Sequence, residues 1–331
     1  MTTNKPLVSV VSPVYEEEEA LPHFHAVLVE VLDGLADEYD IEIIYVDDGS
    51  RDGTLPLLRR LARQDARVRY YSFSRNFGHQ AALTAGMERA RGDAVVTLDS
   101  DLQHPPALIP VLLRRWKEGN DVVVTIRAED PTLGLFKRVS SRLFYALMGR
   151  FSDVEIRPAA ADFRLMSRRA VESLLRLRET HRFLRGMVQW VGFPSAEVHF
   201  EPAARRAGES KYTLLRLLNF GFDGMLSFSR TPRRLPLYFA LAAGATGAAY
   251  AGYLLLARLT AGRPVETPDL ILLSLYLIGA AVLFSLGVVG EYAGRIYEQA
   301  KGRPLYVVKE SIEDDARRLP AAAPGKGGAA A

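Results

Sequence analysis

Two long stretches without a charge limit what this chain can fold into. Leu237–Ala257 and Leu270–Gly290 each run for 21 residues with no Asp, Glu, Lys or Arg. A helix of about 20 apolar residues spans the hydrocarbon core of a bilayer. A long buried core helix is the other reading of one such run, and two in succession disfavour it. The connection Arg258–Asp269 is short, so the pair is expected to form a two-helix transmembrane hairpin. Arg230, Arg233 and Arg234 precede the first run, and Arg295, Lys301 and Arg303 follow the second. The basic residues of the connection are only Arg258 and Arg263. That bias puts both ends of the hairpin on the cytoplasmic side. Just ahead of it, residues 213–228 are rich in Leu and Phe with a few polar breaks. They read as an amphipathic helix lying in the membrane interface, the alternative being an ordinary core helix.

The residues before 235 have a different pattern. Short, nearly continuous apolar runs at Leu7–Val14, Ile41–Val46, Val68–Phe73, Ala94–Leu98 and Asp121–Ile126 read as strands covered on both faces. Helical patterns lie between them, near 18–35, 54–65, 79–90 and 106–118. Repeated β-α-β units predict an α/β fold, with a mostly parallel sheet and helices on both faces. Residues 128–161 lack strand periodicity and contain a candidate helix near 134–149. Asp162–Met166 resumes a strand pattern, followed by a helix over 168–178. The Ala/Gly/Pro-rich tail from Pro320 is expected to be disordered.

Composition removes several chemistries. The chain of 331 residues has no cysteine, which excludes disulfides, zinc-thiolate sites and thiol nucleophiles. The net charge of +3, with no dense basic stretch, gives no reason to expect nucleic acid as a partner. The polar N-terminus runs straight into the strand at Leu7. No signal peptide is therefore expected, and the first domain is expected to stay cytoplasmic.

The polar motifs fall at successive strand ends, where ligands bind in open α/β sheets. After the fourth strand comes Asp99-Ser100-Asp101-Leu102-Gln103-His104-Pro105. Carboxylates at i and i+2 on such a loop can meet on one Mg²⁺ or Mn²⁺, with Gln103 adding an oxygen. The bland alternative is capping of the helix that begins at Pro105. After the second strand comes Asp47-Asp48-Gly49-Ser50-Arg51-Asp52-Gly53-Thr54. There Ser50 and Asp52 suit capping, and a carboxylate at the strand end can accept from a base N–H. After the first strand, Tyr15 can pack on a planar base. Most of Glu16–Glu19 suit a helix N-terminus. Ser74-Arg75-Asn76-Phe77-Gly78-His79-Gln80 follows the third strand. His79, His104 and His181 lack metal-ligand spacing and read as loop or capping residues.

Taken together, Pro13/Tyr15/Glu17, Asp47-Asp48-Gly49-Ser50, Arg75-Asn76-Phe77-Gly78 and Asp99-Ser100-Asp101-Leu102-Gln103 resemble the family 2 glycosyltransferases with the GT-A, Rossmann-like fold. Within these the chain is similar to the polyprenyl-phosphate glycosyltransferases, the dolichol-phosphate mannosyltransferase and bactoprenol glucosyltransferase group. Asp162-Phe163-Arg164-Leu165-Met166-Ser167, Gly208-Glu209-Ser210-Lys211-Tyr212 and Gly290-Glu291-Tyr292-Ala293-Gly294-Arg295-Ile296-Tyr297 extend the likeness to about residues 6–310. The resemblance implies that Pro13, Tyr15, Glu17, Asp47, Asp48, Arg75 and Asp99 serve the nucleotide. It implies that Asp99, Asp101 and Gln103 hold the metal and diphosphate, and that Arg127, Arg205 and Lys211 meet phosphates. Asp162, Asp101 and Arg127 become the catalytic candidates. Ser100 stands where relatives often have Ala, and is expected to point away from the metal.

The implied reaction is inverting, metal-dependent transfer of one sugar from a nucleotide-sugar to polyisoprenyl phosphate. UDP-glucose is favoured by the segments Asp162–Ser167 and Phe183–Met187. GDP-mannose-dependent mannosyl transfer, a glycan-extending transferase and a non-enzymatic membrane scaffold are the competing readings. No Gln-x-x-Arg-Trp occurs, and Gln189-Trp190 lacks its spacing, which argues against polymerisation. A phosphate monoester has its second pKa near ~6 and is largely ionised at neutral pH. Asp162 is thus expected to take a residual proton, orient Arg164 or order the acceptor. Arg205 and Lys211 suit a lipid phosphate, or anionic headgroups in general. The expected organisation is a catalytic domain over 1–212, an interfacial segment over 213–235, two spans within 236–291 and a cytoplasmic segment over 292–331. This would be an integral protein of the bacterial inner membrane. Pro304–Val308 reads as an exposed strand edge able to pair between protomers, in keeping with the tetramers known in the family.

Overall fold

A computed structural model of the chain describes residues 5–127, 160–200, most of 239–260 and 268–314. The candidate helix near 134–149, the interfacial segment 213–228, and Arg205 and Lys211 lie outside the described residues. The chain divides into two compact units. One holds Met1–Lys137, Arg157–Lys211 and Pro304–Ala331, and the other holds Arg138–Ile156 and Tyr212–Arg303.

The first unit is built on one sheet. Its strands are β1 (Leu7–Val14), β2 (Asp40–Asp47), β3 (Val68–Phe73), β4 (Ala94–Thr97), β5 (Val122–Arg127), β6 (Ala160–Ser167), β7 (Ser195–Phe200) and β8 (Val308–Ser311). Their spatial order is β7-β5-β6-β4-β1-β2-β3-β8. The helices are α1 (Leu21–Asp33), α2 (Thr54–Gln64), α3 (His79–Arg89), α4 (Ile109–Lys117), α5 (Arg168–Leu175) and α6 (Leu184–Trp190). The five strands expected before residue 128 form within a residue or so of their expected bounds. β7, β8 and α6 were not foreseen.

The sheet is mostly parallel, as expected, with only β6 and β8 reversed. β1 pairs in parallel with β2 and β4, as do β2 with β3 and β5 with β7. β6 runs antiparallel to both β4 and β5, and β8 antiparallel to β3. A strand buried on both faces is one apolar run whichever way its neighbour points, so these two reversals were not legible.

Both faces of the sheet are closed. Val8, Val10, Ile43, Tyr45 and Val96 pack with Phe24 and Leu28 of α1, Leu58 of α2 and Leu112 of α4 in one cluster. On the opposite face α3 presses so close that a Cβ at Gly86 would sit 2.2 Å from Val11 Cγ1. Ala81–Met87 are buried without interruption, which explains the weak amphipathicity of this helix. Each fully buried Val, Leu or Phe contributes roughly 1.5–3 kcal/mol.

The segment expected to pair between protomers is used within the chain. The Ser74 amide donates to the Val307 carbonyl at 2.9 Å, and β8 continues that pairing along β3. Glu310 is buried and accepts two bonds from Arg59, at 2.7 and 2.6 Å.

In the second unit, α7 (Pro268–Ala300) is 33 residues long and contains the uncharged run Leu270–Gly290. Ile271, Leu275, Ile278, Leu283, Leu286 and Val289 are exposed along it. Residues between 239 and 260 are helical where described, and the rings of Phe239 and Phe284 lie 4.6 Å apart. Over the described residues no helix is long and apolar enough to cross a membrane. Several side chains of α7 lie outside that set.

The turn after β2 rests against the turn after β3. Gly49 has φ +74, and a Cβ there would sit 2.4 Å from the Arg75 carbonyl carbon. Gly49→Ala is expected to cost about 1–3 kcal/mol of unfolding free energy, read from a denaturant midpoint shift.

Candidate active site

Strand direction explains why distant residues share one edge. β1 to β4 are parallel, so the motifs that follow them emerge together. β6 opposes β4 with Thr97 across from Arg164, which brings Asp162 to the same edge from the start of its strand. β5 opposes β6 with Ile126 across from Ala160, which brings in Arg127.

The β1 and β2 ends are locked by their own polar groups. Asp47 is fully buried and accepts from the Ser50 amide at 2.9 Å and from Ser72 Oγ at 2.6 Å. It therefore clamps the turn. Asp48 accepts from the Phe77 and Gly78 amides at 2.7 and 2.9 Å, holding the Ser74–Gly78 loop. Burial raises its pKa, against the two amides that favour the ionised form. Ser50 Oγ accepts from the Glu16 amide, where φ is 53°, and Thr54 Oγ1 accepts from the Glu17 amide. Glu18 accepts from the Gly53 amide at 2.6 Å, a structural use of one glutamate. Tyr15 is half-buried beside them. The Arg75 guanidinium lies 4.0 Å from the centre of the Phe77 ring.

The acidic loop after β4 is pinned at its middle. Ser100 is buried and donates to the Pro13 carbonyl at 3.2 Å. Asp101 Oδ1 accepts from the Gln103 amide at 3.1 Å, across Leu102 at φ 58°. Gln103 Oε1 accepts from Arg127 at 2.9 Å, so Arg127 is tied to the acidic loop. Asp99 Oδ1 is buried and makes no hydrogen bond. Among the described residues no three His, Asp or Glu side chains form a metal cage. A cation shared with substrate phosphates needs only one or two carboxylates. The orphaned oxygen of Asp99, with Asp101 on the same loop, fits that donor set.

Behind this loop lies a buried ion cluster. Asp162 Oδ1 accepts from Arg164 at 2.5 Å and from Arg185 Nε at 3.2 Å, and Oδ2 accepts from Arg185 at 2.8 Å. The carboxylate of Asp162 and the guanidinium of Arg164 are both almost fully buried. His79 Nε2 stands 3.4 Å from Asp99 Oδ1 and 3.8 Å from Asp162 Oδ2. His104 Nδ1 stands 3.5 Å from Asp99 Oδ2. Two histidines expected only to shape loops thus converge on the acidic motif.

The glycosyl transferase family 2 model matches residues 9–175. The chain belongs to that family. It is 40% identical to an uncharacterized glycosyltransferase, YkcC, of Bacillus subtilis (strain 168), over 94% of this chain and 96% of the relative. It is 38% identical to the SfII prophage-derived bactoprenol glucosyl transferase of Shigella flexneri, over 92% of this chain and 98% of the relative. A solved structure of glucosyl-3-phosphoglycerate synthase from Mycobacterium tuberculosis, in complex with Mn²⁺, UDP and glucosyl-3-phosphoglycerate, aligns with a TM-score of 0.44 at 22% identity. That alignment covers 66% of this chain and 76% of that one.

For a family 2 glycosyltransferase the unforeseen residue is Arg185. Its signal was a single arginine inside the otherwise apolar Phe183-Leu184-Arg185-Gly186-Met187. Gln80 Oε1 accepts from the Leu184 amide at 3.1 Å, which fixes the start of α6 and hence Arg185. Burial alone would raise the pKa of Asp162, but Arg185 and Arg164 outweigh it and hold the carboxyl well below its usual range. A depressed folded pKa stabilises the protein above the unfolded value, near ~3.9, and that contribution fades as the pH falls through the folded pKa. Asp162→Asn leaves Arg164 buried without its counter-ion and is expected to cost about 3 kcal/mol at pH 7. The deficit, measured by denaturant unfolding across pH, should narrow below about pH 4.

Proposed function

We propose that this glycosyltransferase moves one sugar from a nucleotide-sugar, UDP-glucose in preference, to a polyisoprenyl phosphate at a membrane face. The observation that carries the reading is the full-length similarity to a protein named bactoprenol glucosyl transferase, which includes the C-terminal apolar runs as well as the catalytic unit. Those runs suit two membrane spans with both ends cytoplasmic. The long exposed apolar helix α7 supports it. GDP-mannose as donor remains the second reading, because the base-side residues would serve either nucleotide.

Tyr15, Glu17, Asp48 and Arg75 would surround the nucleotide, with Asp47 clamping the turn beneath. Asp99 and Asp101 would hold Mg²⁺ or Mn²⁺, which neutralises charge building on the departing diphosphate. The Gln103–Arg127 pair would border the phosphates, and Arg205 and Lys211 the acceptor. An oxygen of the acceptor phosphate bonds to the anomeric carbon as the bond to the diphosphate oxygen breaks, with inversion. When the acceptor is a dianion no proton needs to leave. Asp162 therefore acts by holding Arg164 and Arg185 in place, since its carboxylate is committed to both.

Membranes carrying the protein, incubated with radiolabelled nucleotide-sugars and polyprenyl phosphate, should move label into the organic phase only when the lipid is added. UDP-glucose should give the highest rate. A chelator should stop transfer and Mg²⁺ or Mn²⁺ restore it. Asp101→Ala should lower transfer at least a hundredfold while the protein still inserts, on the scale of losing one transition-state charge contact. Wild-type transfer by that variant would sink the metal assignment.

A further inference from the structure

The Ser74–Gly78 loop is held from two sides, and only one of them belongs to the strand-end motifs. On one side Asp48 accepts from the Phe77 and Gly78 amides. On the other the chain returns after Arg303 and lies along β3. There the Tyr306 ring stacks on Phe73, with centroids 4.8 Å apart and planes at 16°. Phe73 in turn meets Phe77 edge-on at 5.7 Å. The Tyr306 hydroxyl bonds to Glu88 of α3, the helix whose first residue is His79. The same returning segment is anchored further on. Tyr70 and Arg59 bond to buried Glu310, and Tyr71 and Arg69 bond to Glu313.

We propose that Tyr306 is a positioning residue for the donor site, setting the Ser74–Gly78 loop, which leads into α3, through its stack on Phe73. This rests on the reading that the loop borders the nucleotide. Tyr306 touches no group of that site itself. It acts through Phe73 on Phe77.

The test is binding of UDP and GDP to the full-length protein by calorimetry, with steady-state kinetics for donor and acceptor. Tyr306→Ala should weaken nucleoside diphosphate binding and raise the donor KM roughly three- to tenfold, leaving the acceptor KM unchanged. Tyr306→Phe keeps the stack and should stay within about twofold of wild type. If Tyr306→Ala fails to fold, Tyr306→Leu carries the same expectation, because it covers Phe73 without a flat ring. Wild type that binds neither nucleotide overturns the donor-site reading, and this proposal with it. Wild type that binds, with the alanine and leucine variants binding equally well, overturns the Tyr306 role alone. So does a parallel rise in donor and acceptor KM.

Discussion

A buried carboxylate shared between two arginines organises the edge of the sheet where the strand-end motifs meet. Removing Asp162, Arg164 and Arg185 from water is costly, and the arrangement holds because their geometry leaves little unmet. Both carboxylate oxygens accept from guanidinium donors, and Arg164 also donates to the Ala161 carbonyl. The cluster can assemble only if three elements meet. β6 must run antiparallel to β4, Thr97 must bind the Asp162 carbonyl, and Gln80 must hold the first turn of α6. Chain direction, a strand pair and a helix start are thus tied to one charge.

The acidic loop sits in front of that cluster and shares its field. Asp99 faces His79 and His104, and Asp101 and Gln103 form a tight turn linked to Arg127. The residues proposed to hold the cation and to border the phosphates are therefore parts of one bonded unit. A change at Arg127 should be felt by Gln103, and a change at Ser100 by the whole loop through Pro13. Asp162, already paired and ionised, suits holding Arg164 and Arg185 in place better than it suits taking a proton.

Much of this was legible in the sequence because it is local. β1 to β5 each follow from an apolar run bounded by turn chemistry, and the strand-end position of four motifs followed from those runs. Asp52 accepting from the Thr54 amide at the start of α2 is a short-range consequence of the same pattern, whereas Ser50, expected to cap that helix, accepts from the Glu16 amide instead. What could not be read depends on long-range direction. The antiparallel course of β6 and β8, the arrival of Arg185, and the meeting of His79 with Asp99 depend on partners far apart in the chain. That Pro304–Val308 leads into a strand beside β3 could not be read, because β3 lies more than two hundred residues earlier. Asp48 shows a different gap, since a carboxylate suited to a base is equally suited to two loop amides.

If the proposed reaction holds, the acceptor supplies its own anion and Asp162 is not the base. The pH dependence of single-turnover transfer tests it directly, with the phosphate acceptor compared with its phosphorothioate analogue, whose second ionisation is more acidic. An acid limb near ~6 for the phosphate should move to lower pH with the analogue. A limb that stays at the same pH for both acceptors would report a titrating group on the enzyme and contradict it.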